Sequence, residues 1–153
     1  MDEAGDPGLA ARRRWMAVLA AAEPGEIEEH WRHLPGKPAE VVWLRPPETG
    51  MVMVRGRAGG SGMRFNLGEM TVTRCTVRLA EGPTGTAYVA GTNARHAELA
   101  ALFDGLLQLP DRRPDIERAV IAPLTASGAA RQDQRSRKAA ATKVDFFTLV
   151  RGS

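Results

Sequence analysis

The stretch that most constrains this chain is residues 45–75, RPPETGMVMVRGRAGGSGMRFNLGEMTVTRC, where two strand-like apolar runs flank a loop holding Gly56, Gly59, Gly60 and Gly62. Side chains alternate across a strand, so Met51, Met53, Arg55 and Arg57 share one face and Val52, Val54 and Gly56 the other. One face thus turns from apolar to cationic as it nears the loop. Arginines beside exposed backbone N–H groups suit an anionic ligand. An ordinary hairpin turn with solvated arginines fits the same string, and both readings stay open at this level.

Around this block the punctuation predicts further strands. Val41–Leu44 is a short apolar run closed by Arg45-Pro46-Pro47, since two consecutive prolines donate nothing to a ladder. A strand from Glu69 to Leu79 starts with Met70 and Val72 in phase and continues with Cys75, Val77 and Leu79 out of phase, which suggests a bulge near Thr73 and Arg74. The turn at Glu81-Gly82-Pro83-Thr84-Gly85 leads to Thr86–Ala90 as a hairpin partner. The centre is therefore antiparallel.

Helical spacing flanks the strands on both sides. Trp15, Val18, Leu19 and Ala22 recur at i, i+3, i+4 and i+7, Pro24-Gly25 breaks that helix, and Glu26–Leu34 follows as a second short one. Residues 1–8 are polar and are expected to fray. Leu99, Leu102, Phe103, Leu106 and Leu107 mark an apolar stripe, with Asn93 as N-cap and Pro110 as stop. Pro114 opens another helix that Pro123 breaks or kinks. Residues 129–142 are rich in alanine and cations and contribute little to a core, whereas Val144–Val150 (VDFFTLV) reads as a strand apolar on both faces. Residues 129–153 then form either an arm that docks on a partner or a strand returning to the chain's own sheet. The expected fold is α+β: an antiparallel sheet of about four to five strands, an N-terminal helical hairpin and C-terminal helices, in one domain spanning 1–153.

Composition narrows the function classes. The 153 residues suit one domain of roughly 100–200 residues, and 43% apolar content is enough for a core. Lys and Arg number 21 against 18 Asp and Glu, a net charge of +3, and only Lys37, Lys138 and Lys143 are lysines. Arginine suits two-pronged contacts to phosphate or carboxylate, and a GC-rich genome yields the same bias. So small an excess with few aromatics argues against nucleic-acid binding through VRGRAGGSG. Cys75 is the one cysteine, so no intrachain disulfide, four-thiolate zinc site or iron–sulfur cluster can be held by this chain alone. Arg12–Ala22 imitates a secretory leader poorly, because Asp2, Glu3 and Asp6 offset the arginines and the apolar residues follow helical spacing. No run approaches the ~20 apolar residues of a membrane span. A cytoplasmic protein with no membrane association is expected.

The candidate sites are individually weak. The glycine loop lacks the Gly-Lys-Ser/Thr of a P-loop and the GxGxxG of a dinucleotide fold. His30 and His33 each follow a glutamate, Glu26 and Glu29, by four residues, a pattern of surface charge pairs rather than a metal site. His96 is expected to be exposed, and Cys75 to be a buried inert thiol. Glu48, Glu69 and Asp145 interrupt arginine-rich or apolar stretches and can serve as ion-pair partners.

The strings RPPETGMVMVRGRAGG, FNLGEMTVTRC, TAYVAG, RHAELAALFDGLLQ and AAATKVDFFTLVRG together resemble the PhnG family, a subunit family of the bacterial carbon–phosphorus lyase system. The resemblance runs over nearly the whole chain from Arg12. It implies work on organic phosphonates in a symmetric core complex with PhnH, PhnI and PhnJ subunits and an ATP-binding-cassette partner. That complex transfers a phosphonate onto the ribose C1 of ATP with release of adenine, and MgATP is its substrate; this subunit is expected to hold no metal or cofactor of its own. The single cysteine separates this chain from the radical S-adenosylmethionine subunit, PhnJ. On this reading Arg55, Arg57 and Arg74 contact anions at a shared interface, and Glu69 is a weaker candidate for supporting the cationic sugar. The competing implication is an architectural subunit, with every catalytic group on PhnI.

Overall fold

The computed structural model describes residues 7–57, 64–80 and 82–151. Helix α1 (Pro7–Ala21) and helix α2 (Pro24–Arg32) are the two expected N-terminal helices, and strands β1 (Val41–Arg57), β2 (Arg64–Leu79) and β3 (Thr84–Ala90) follow. Helix α3 (Ala94–Leu107), a short α4 (Arg113–Ile116), a π turn (Glu117–Ile121) and a long α5 (Ala122–Arg151) complete the chain. Helices α1 and α2 each pack on the later helix α3 rather than chiefly on the other. Of the polar segment expected to fray, residues 1–6 lie outside the described residues, while Pro7 and Gly8 begin α1.

The sheet is antiparallel in the order β1-β2-β3, with three strands rather than four to five. Two differences account for the number. The runs 41–44 and 51–57 are one strand, because β1 passes through Pro46 and Pro47 at a break in register between Arg45 and Glu48. An edge strand tolerates this, since its outer N–H groups have no ladder partner to lose. The segment 144–150 is the end of α5 rather than a strand. No glycine or proline separates it from the alanine-rich residues before it, and extending an existing helix avoids the unfavourable nucleation step.

The expected bulge also falls on the other strand. β2 pairs with β3 without interruption from Val72 to Arg78. Thr73, Cys75, Val77 and Leu79 all face the core, while Met70 and Val72 point to the opposite side. Two faces of one regular strand had looked like a change of phase. The extra residues sit on β1 opposite Arg74–Val77, and a further irregularity lies between Val54 and Arg55.

Helix α3 forms the centre of the core. Every residue from Leu99 to Leu107 is buried, including Ala100, Ala101, Asp104 and Gly105, so the helix is enclosed on all sides rather than along one stripe. The sheet covers one side, with Cys75, Val77, Leu79, Ala87 and Val89. Helices α1 and α2 cover the other through Trp15, Leu19 and Ile27, and Trp31 meets Phe103 edge to face at 5.4 Å. The Asn93 side chain accepts from the His96 N–H at 2.9 Å, as an N-cap should. His96 itself is buried rather than exposed, its Nε2 2.8 Å from the Leu19 carbonyl oxygen. That contact ties the start of α3 to α1.

The chain does not break at Pro123: the helix runs on through it, and a π turn lies just before it, where the Ala122 N–H reaches the Glu117 carbonyl. A proline two residues into a continuing helix cannot donate back to the preceding turn, and a wider turn accommodates its ring. Beyond Leu124, α5 leaves the core, and residues 132–142 are exposed. Arg131 braces its first turns with ion pairs to Glu23 and Glu26 and a bond to the Ala21 carbonyl.

Candidate functional site

Of the expected site residues, Arg55, Arg57 and Glu69 lie on a two-stranded ribbon that extends past the rest of the sheet, and Arg74 lies beside its base, where β3 still pairs with β2. Strand β3 ends opposite Val72 of β2. Pairing of β1 with β2 continues from Gly50–Val72 to Arg57–Arg64, at roughly 3.3 Å per residue a projection of about 20 Å. Its base is fixed by a relay of hydroxyls. Thr73, fully buried, donates to the Gly91 carbonyl at 2.7 Å, which leaves Thr49 to donate to Thr73 at 2.9 Å. The ribbon is thereby anchored where it leaves the core.

Cross-strand partners share a face, so the register sorts the candidates. Glu69 lies opposite Met53, and Arg55 is the next residue of β1 on that same side. Arg55 and Glu69 are both exposed, and neither makes an ion pair among the described residues. Arg57 ends β1 opposite Arg64, with its side chain outside the described residues. Arg74 lies opposite Glu48 on the other face, about 20 Å back along the ribbon.

Arg74 and Arg55 therefore cannot grip one phosphonate group. Arg74 instead donates from Nε to Glu48 Oε2 at 3.2 Å, with the charged Nη2 also 3.2 Å from that oxygen, and Arg45 joins the same carboxylate at 3.3 Å. All three side chains are about half exposed, where such pairs are worth about 0–1 kcal/mol, so an incoming anion could displace Glu48 at little expense. Beside them opens a surface cavity of about 500 Å³ bounded by Glu48, Met51, Val72 and Tyr88.

The other expected sites resolve simply. Cys75 is completely buried, and burial, with a smaller contribution from the Glu98 charge, pushes its thiol up to about 11, so it is not a nucleophile at neutral pH. Glu29 pairs with His33 at 3.4 Å and with Arg32 at 2.6 Å on the outside of α2. Asp145 belongs to α5, with its side chain outside the described residues.

What the alternation had not revealed is that the apolar side chains on both faces of the ribbon are exposed. Met51, Val52, Met53, Leu67 and Met70 are between 40% and 64% exposed, on both sides of the hairpin. The signal was present in the unbroken string MVMV, which cannot place its apolar side chains all on one side.

Comparison with known proteins places this geometry in a biochemical context. The family described as phosphonate metabolism protein PhnG matches residues 10–152. The chain is also 47% identical, over 147 residues, to a protein of Rhizobium meliloti (strain 1021) named alpha-D-ribose 1-methylphosphonate 5-triphosphate synthase subunit PhnG. That alignment covers 96% of this chain and 93% of the relative.

Proposed function

The chain belongs to the PhnG family of phosphonate metabolism proteins, and from that premise we propose that it is a non-autonomous subunit of an α-D-ribose 1-methylphosphonate 5-triphosphate synthase. The complex works in phosphonate catabolism, transferring a phosphonate onto the ribose C1 of ATP with release of adenine. Displacement at the anomeric carbon builds up positive charge on the sugar while an anionic oxygen approaches and the departing base takes a proton. Fixed cations orient the phosphonate and triphosphate, and a carboxylate can stabilise the sugar.

On this chain the observation that carries the proposal is Arg55, exposed on the projecting ribbon beyond the core, with no ion-pair partner among the described residues. Arg55 and Arg57 serve as anion contacts at an interface shared with other subunits. Glu69, which shares a face with Arg55, serves to support the positive charge of the ribose. Arg74, a separate contact at the ribbon's base, reaches an anion only by leaving Glu48. MgATP and the phosphonate bind at the level of the complex, in the cytoplasm, with PhnH, PhnI, PhnJ and an ATP-binding-cassette protein as partners. Among the described residues no helix is long and apolar enough to cross a membrane.

An architectural role without substrate contact is the second reading. It is supported by the paired state of Arg74 and by the exposed apolar side chains of the ribbon. Arg55→Ala in the assembled complex separates the two: the first reading expects slower phosphonate transfer with assembly intact, the second expects unchanged transfer.

A further inference from the structure

The ribbon carries apolar side chains that the described residues leave exposed. On one side Met51 and Met53 stand beside Thr71 and Glu69; on the other Val52 and Met70 face each other directly across the strands, with Leu67 exposed nearby. β3 stops short of this region, and these side chains remain open to solvent. A free two-stranded hairpin is at best marginally stable in water, and contiguous apolar surface of this kind marks an interaction site.

We propose that the ribbon is clasped on both faces by a different subunit of the synthase, which receives Met51–Met53 and Val52–Met70 in an apolar cleft; this rests on the subunit reading above. A second copy of the chain fits less well for three reasons. Stacking two ribbons face to face covers one face of each and leaves the other in water. The stretch 50–71 carries Arg55, Arg57 and Arg64 against Glu69 alone, so two copies bring like charges together. Edge-to-edge pairing of two ribbons would extend the sheet sideways and leave the apolar side chains on both faces in water. A cleft in another polypeptide meets none of these objections. Three of the side chains are methionines, which adapt their shape to a partner's surface.

The test is site-specific photo-cross-linking in the synthase complex, co-produced with its other subunits. A photoreactive residue replaces either Val52 or Met53, one on each face. Both positions should cross-link to the same subunit, and that subunit should differ from this chain. In parallel, Val52→Asp and Met53→Asp should each weaken incorporation into the complex about tenfold or more, while the full chain alone melts as the unsubstituted protein does. Cross-links to a second copy, a silent position on either face, or unimpaired incorporation of both variants would overturn the clasp while leaving the subunit reading in place. If the unsubstituted chain itself fails to join the complex, the subunit reading falls and the clasp falls with it.

Discussion

Arg12 and Asp104, 92 positions apart in sequence, form a two-pronged ion pair, Nε to Oδ1 at 3.1 Å and Nη2 to Oδ2 at 2.9 Å. Asp104 is completely buried, and the same carboxylate accepts from Trp15 Nε1 at 2.8 Å and from the Thr86 N–H at 2.9 Å. One side chain on α3 thereby joins α1 to β3. The carboxylate in turn raises the Arg12 pKa through its hydrogen bonds, against the opposing effect of burial. Removing either partner from a buried pair typically costs about 3–5 kcal/mol. Asp104→Ala is expected to lower the melting temperature by roughly 10 °C. Arg12→Ala should have a smaller effect, since Trp15 and Thr86 still donate; thermal unfolding of both variants checks the order.

Gly85 marks where β3 crosses α3 at backbone distance. A Cβ there would overlap the Ala101 carbonyl oxygen and approach the Gly105 nitrogen to 2.6 Å, both of them main-chain atoms that cannot turn aside. Gly85→Ala is expected to destabilise by about 3 kcal/mol, toward the upper end of overpacking effects. Gly50→Ala, where a Cβ meets open space, should change stability by less than about 1 kcal/mol. Denaturant midpoints for the two variants measure the contrast.

The thiol of Cys75 predicts a specific alkaline behaviour. Folding raises its pKa from 9.0 to about 11, mainly through burial. Between those values the folded chain keeps a proton that the unfolded chain has lost, so stability falls as pH rises through this window, by an amount on the order of 2 kcal/mol. Cys75→Ala should flatten that part of the stability–pH curve. At pH 8 the native thiol should react with a disulfide reagent far more slowly than in denaturant.

The sequence carried more of the local structure than of its long-range fastening. Asn93 and Pro110 bracket α3 because caps and breakers act within a few residues. The hairpin about the glycine loop was legible for the same reason. Asp104 was not, since an aspartate in a helix looks the same whether water or Arg12, Trp15 and Thr86 receives it. His96 escaped likewise, because its partner is the carbonyl of Leu19, 77 residues away. The strand count went wrong at Pro46-Pro47, where an edge position relaxes the rule that prolines end strands, and at Val144–Val150, where a preceding helix outweighs local strand character. Of the candidate site, alternation along one strand put Arg55 on the face of Met53, whereas Glu69 joins that face only through the register that sets it opposite Met53. The separation of Arg74 from them depended on how long the ribbon is, which residue identity alone does not set.

Substitution at the ribbon tip should act on chemistry rather than folding. Arg55 is exposed and unpaired among the described residues, so Arg55→Ala should shift the melting temperature little. If Arg55 orients an anionic group in the transition state, its loss should slow phosphonate transfer about tenfold to a hundredfold, corresponding to one or two charge-assisted hydrogen bonds. Arg74→Ala should have a smaller effect, because its charge is already shared with Glu48.

The most direct measurement of the central claim is phosphonate-dependent release of adenine from MgATP by the synthase assembled with and without this chain. If the chain is a required, non-autonomous subunit, the chain alone releases no adenine, the complex lacking it is inactive, and adding it back restores the rate. Full adenine release from the complex lacking this chain would contradict the account.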